Sequence, residues 1–169
     1  MAELEPQKTS QQQKDDCHRF ADMVQAIAEK YKPQVFHLPV DMKRYDIGGF
    51  ADELARTFVG AENHSPLAMR QAAEQAPPID FTSSGFQSQF ADPNNGNQVR
   101  HYVGGLIAGL DWGAGMGLRY MNSRETPGHS DYASDTALNA VSTRHGGSLT
   151  NRTDPRVLPD LIRRDVCAH

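Results

Sequence analysis

Five side chains between Asn97 and Gly146 have the types and spacing for acid–base chemistry: Arg100, His101, Glu125, Asp135 and Asn139. An imidazole changes charge near neutral pH and can take or give a proton at a reacting atom. A carboxylate or amide bonded to the ring would orient His101, Glu125 would supply a second acid or base, and Arg100 would hold an anionic group. The set suits a hydrolase-like enzyme working around His101. Each residue also has a plainer use, since a histidine near a helix start is commonly structural and a polar helix stripe is commonly a solvated face. Asp131, Asp135 and Asn139 share one stripe at i, i+4 and i+8. A helix N-terminus explains Asp131, whereas Asp135 and Asn139 are poor mid-helix formers and call for another reason.

Other chemistries find less support. His129, Asp131 and Asp135 offer imidazole and oxygen ligands, but at a spacing that matches no defined metal motif. No residue is assigned to a metal or cofactor, and the identity of any cofactor stays open. The chain has no GxSxG, GxxxxGK[ST], HExxH or CxxC motif. Its glycine pairs at 48–49, 104–105 and 146–147 follow no strand, which argues against a dinucleotide fingerprint.

The elements that must position these groups are helical. Val99, Val103, Leu106, Ile107 and Leu110 trace the buried face of a central helix starting at Asn97. Gly105, Gly109, Gly113 and Gly117 then recur every fourth residue. In a continuous helix four such glycines would cost about 4 kcal/mol against alanine. Close approach of another backbone, or a break near Gly113, would account for them. A different reading takes the glycine ladder as a contact surface for a partner helix or a bilayer, in an interaction or membrane-active effector-type protein. Tyr102 to Leu118 carries one charge, Asp111, but 17 residues with a central aspartate argue against a constitutive membrane span.

A loop over 122–130 leads to a helix from Asp131 to about Arg144, capped by Ser130 and closed by Gly146. A helical hairpin across that loop would bring His101 toward Asn139, Ser142 and His145 rather than Asp131. Upstream, residues 1–13 read as a disordered tail, and apolar spacing predicts a helix over 15–32 ended by Pro33. Pro39 disfavours a central strand, so 34–40 reads as a packed, extended linker. A second helix starts at Asp41, Arg44 or Gly49 and ends at Val59 with Gly60 as its cap. Ser65-Pro66 opens a short helix to about Gln75, and Phe81, Phe86 and Phe90 anchor an irregular stretch. Asp154-Pro155 opens a closing helix, kinked or restarted at Pro159, with Arg163 and Arg164 near its C-terminus.

The expectation is a soluble, all-α single domain over 14–169, with five or six helices around a central helical hairpin at 97–146. A chain of 169 residues fits one such domain. Its net charge of −4 argues against nucleic acid as a partner. A small molecule or protein partner and any oligomeric state remain open. Cys17 and Cys167 read as free thiols, with a bond between them left as an alternative. The N-terminal stretch lacks the basic and apolar regions of a signal peptide, so cytoplasmic synthesis is expected, with export by a dedicated machine left open.

Overall fold

Asp15 begins the ordered helices: its side chain accepts a hydrogen bond from the His18 backbone N–H and caps α1 (Asp16–Ala28). The computed structural model describes residues 14–37 and 39–169; the expected disordered tail at 1–13 lies outside the described residues. After α1 come β1 (Gln34–Phe36), β2 (Met42–Arg44), α2 (Ile47–Leu54), α3 (Pro66–Ala73), α4 (Gln98–Ser123), α5 (Tyr132–Ser148) and α6 (Val157–Asp165). A π turn at Ala55–Val59 extends α2, and Gly60 closes it in the left-handed conformation at φ 85°. Ser65 caps α3 with Pro66 in its first turn. Phe81, Phe86 and Phe90 are all buried, as anchors of the irregular stretch should be. No helix among the described residues is long and apolar enough to cross a membrane.

Several local expectations need correction. Residues 34–36 pair antiparallel with 42–44, Gln34 opposite Arg44 and Phe36 opposite Met42. The segment is an exposed hairpin rather than a packed linker, since Val35 and Phe36 are each 46% exposed. The second helix therefore starts at Ile47, where Asp46 accepts from the Gly49 N–H at 2.8 Å. Ser130 does not cap α5; Asp131 holds the N-cap position without a side-chain bond. Helix α5 continues past Gly146 to Ser148, and Gly146 serves instead to let the Leu106 backbone approach closely. Pro159 sits in the first turn of α6, where its missing N–H breaks no helical bond. Cys17 and Cys167 form a disulfide rather than two free thiols, joining α1 to the residues after α6.

The decisive feature lies inside α4. Gly113 has φ 79° and ψ 159°, outside helical geometry. A straight helix would separate Gly104 from Met121 by about 25 Å. Instead a methyl group on Gly104 would lie 3.7 Å from Met121 Cε, and one on Gly117 would lie 2.8 Å from the Ala108 backbone. The chain therefore doubles back at Gly113, giving α4 a first arm to Trp112 and a second arm from Ala114.

Both arms pack on α5. Gln98 meets Asp135 and His101 meets Asn139, so the first arm runs parallel to α5. Ala114 lies at Gly147 and Asn122 at Asn139, so the second arm runs antiparallel to it across the 124–131 connection. That second pairing is the helical hairpin expected from the loop. The glycines are where backbones touch: a side chain on Gly109 would overlap the Thr143 carbonyl, and one on Gly105 would overlap Ser142. Both expected reasons for the ladder, close packing and a break, hold at different rungs.

A buried polar chain ties this unit to α6. His145 Nε2 donates to Asp165 Oδ2 at 2.8 Å, so Nδ1 accepts from the Tyr102 hydroxyl at 2.7 Å. Burial holds the His145 imidazole below its usual range, with Asp165 pulling the other way. Arg144 and Arg164 also flank Asp165.

Two outcomes follow for stability. Gly109→Ala forces Thr143 away and should lower the unfolding free energy by about 1–3 kcal/mol or more in a urea titration; an unchanged midpoint would contradict the contact. The unfolded chain takes up a proton near pH ~6.5 that folded His145 refuses, so this part of stability is present above pH ~6.5 and lost as pH falls below it. His145→Gln should then lose less stability between pH 7.5 and 5.5 than the wild type, and equal losses would contradict the assignment.

Candidate functional site

Asn97 caps α4, its side-chain oxygen accepting from the Arg100 N–H at 3.0 Å, and this sets His101 in the first turn. The doubling back then brings Asn122 and Glu125 to the same place, while α5 contributes Asp135 and Asn139. Asn139 is fully buried, Asp135 is buried, and the His101 and Glu125 side chains are 19% and 14% exposed.

The hydrogen bonds fix the ring. Asn139 Nδ2 donates to Asn122 Oδ1 at 3.0 Å and to Glu125 Oε1 at 3.3 Å. Its amide oxygen therefore faces His101, 2.7 Å from Nε2, and that nitrogen must carry the proton. Nδ1 is left as the basic nitrogen of the imidazole. Glu125 Oε1 lies 3.6 Å from the ring. Gln98, itself anchored on the Phe90 carbonyl, donates to Asp135 Oδ1 at 3.3 Å. Burial pushes the Asp135 carboxyl above its ordinary range; His101 opposes the shift, and Glu125 and Asp131 add to it. Four of the five expected residues thus come together: His101, Glu125, Asp135 and Asn139.

Arg100 does not join them. Its guanidinium donates to the carbonyls of Val59, Ala72 and Gln75, at the ends of the π turn and of α3. It caps helix C-termini while also lining the cleft beside His101, and burial lowers its pKa from the usual value. His129 and Asp131 also stand outside the group. Among the described residues, the set of three metal-capable side chains whose ligand atoms lie within 4.8 Å of one another is His101, Glu125 and Asp135.

The group opens onto a cleft of about 380 Å³, with His101 and Glu125 in its wall. Val59, Met69, Ile107 and Met121 supply apolar lining. Trp112 stands edge-on to Tyr120 with ring centroids 4.8 Å apart, and Arg124 lies over the Tyr120 ring.

The cleft wall also holds His64 and Asp111, a polar pair that spacing could not reveal. Asp52 Oδ1 accepts from the His64 backbone N–H at 2.9 Å and from its Nδ1 at 2.5 Å. His64 Nε2 then faces Asp111 Oδ1 at 3.5 Å. Burial raises Asp52, but the hydrogen bonds from His64 outweigh it and hold the carboxyl below its usual range. Burial raises Asp111 above it. Asp111 stood out in the sequence only as a charge interrupting an apolar run; its partners lie about 50 residues away in α2 and before α3.

No family model, curated protein or solved structure matches this chain.

The Asp135 assignment has a measurable consequence. A carboxyl raised by folding contributes stability that is present at low pH and lost as pH rises through its folded value. At pH 7.5, in metal-free buffer, Asp135→Asn should therefore raise Tm, as read by thermal unfolding. A lower Tm would show that the ionised carboxylate is held favourably.

Proposed function

We propose that the cleft is the active site of a hydrolase-like enzyme that works by acid–base chemistry around His101. The observation that supports it is the meeting of His101, Glu125, Asp135 and Asn139, from three separate segments, with His101 and Glu125 in the wall of the cleft and Asp135 and Asn139 behind them. Asn139 acts as a positioning residue: it holds Nε2–H and leaves Nδ1 to take a proton from an attacking water. Glu125 lies beside the ring and steadies the imidazolium that forms. Asp135 keeps its proton to a higher pH than an exposed carboxyl and is the acid that can give it up. Arg100 takes no part in the chemistry and holds α3 against the site.

The contact-surface reading loses ground at Gly105, Gly109 and Gly117, which the chain's own backbone and side chains cover. A partner helix cannot reach those positions without unpacking α4 from α5 or parting the two arms of α4.

The reading is tested with chromogenic carboxylic ester, amide, phosphodiester and glycoside probes. The wild type should turn over one class, and His101→Gln and Glu125→Gln should each lose about 100-fold or more in kcat with Tm within a few degrees of wild type. Wild-type inactivity on all four classes, or full activity in His101→Gln, would overturn it.

A further inference from the structure

We infer that His101, Glu125 and Asp135 bind one divalent cation. The inference rests on the reading above in one respect, that this cluster is the reacting end of the cleft.

The donor set is one imidazole and two carboxylates, a combination that suits zinc and manganese. Their ligand atoms already lie within 4.8 Å of one another, and with Nε2–H held by Asn139 the imidazole has Nδ1 free to coordinate. Ligands about 2.0–2.2 Å from a tetrahedral ion stand roughly 3.5 Å apart, so side-chain adjustments of about an ångström close the site. The three donors come from the first arm of α4, the segment after its second arm, and α5, all held by backbone contact.

Charge points the same way. Glu53 has Lys30 and Asp165 has Arg164 as basic partners, while Asp52 and Asp111 share only His64. Among the described residues, neither Glu125 nor Asp135 pairs with a lysine or arginine. Arg100 is committed to backbone carbonyls, and Arg124 lies on Tyr120. Two carboxylates in one half-buried place thus have only an imidazole to balance them. Protons can fill that deficit, and a dication fills it more completely.

The surroundings are those of a ligand set held in place. Asn139 donates to Glu125 and bonds His101, while Gln98 is pinned by Phe90 and donates to Asp135. Such partners orient ligands and sharpen their basicity. His101 and Glu125 also line the cleft, which leaves a side of the ion open to water or substrate. With an ion bound, His101 and Asp135 would serve as ligands rather than as base and acid, and the cation would supply Lewis-acid activation of a water for the same hydrolytic class of reaction.

Protein stripped with a chelator and titrated calorimetrically with Mn²⁺ or Zn²⁺ at pH 7.5 tests this. One site of micromolar or tighter affinity is expected, with protons released on binding. Asp135→Asn and Glu125→Gln should each weaken it by about 10-fold or more. The double variant His129→Gln/Asp131→Asn should bind as the wild type does. A Tm measured on each sample separates a loss of affinity from a loss of folding. No saturable binding, or binding indifferent to Asp135 and Glu125, overturns the cation. If stripped protein still hydrolyses a probe in a His101-dependent way, the acid–base reading survives that failure. Saturable binding without hydrolysis supports the cation and overturns the enzyme.

Discussion

The molecule depends on the chain doubling back at Gly113 and on bare backbone meeting bare backbone on either side of it. Gly117 lies on Ala108, Gly109 on Thr143, and Gly146 on Leu106. Without these contacts the first arm of α4, its second arm and α5 could not share one seam. With them, residues 24 positions apart, His101 and Glu125, sit within 3.6 Å. The cost of glycine in a helix is offset by packing that no larger residue permits. The polar cluster is a product of that seam, and so is the cleft beside it.

The cluster is ordered by amides rather than by strong ion pairs. Asn139 links Asn122, Glu125 and His101, and Gln98 reaches Asp135 from the start of α4. An amide orients a ring without forcing it to stay charged, which leaves the imidazole free to exchange a proton. The other buried histidine is treated differently. His145 lies between a tyrosine hydroxyl and a carboxylate with no route to the cleft among its bonds, and it serves to join α4, α5 and α6. The disulfide joins α1 to the end of the chain far from the seam in sequence, closing a loop of 150 residues.

Much of this was legible beforehand, for reasons specific to each element. The helix over 98–112 announced itself through Val99, Val103, Leu106 and Ile107, because burial of one face leaves a 3.6-residue period. Capping made the start of α3 equally plain. The partnership of His101 with Asn139 was expected from an antiparallel hairpin, whereas the first arm in fact runs parallel to α5. The partner survives because the second arm carries the antiparallel step. Arg100 could not be placed, since nothing local in a sequence says that a guanidinium will cap two distant helix ends. His64 and Asp52 were invisible for a similar reason, as they meet Asp111 only through tertiary packing. The hairpin at 34–44 was hidden by Pro39, which lies outside the paired residues.

The doubling back itself is the claim to measure first, by proton–proton NOE contacts in solution. A fold-back places the Gly117 α-protons against the Ala108 and Gly109 backbone, and strong cross-peaks between them are expected. In a straight helix Ala108 and Gly117 would stand about 13.5 Å apart, beyond the reach of such contacts. Absence of those peaks, with helical sequential contacts running unbroken through Gly113, would contradict the account and disperse the site.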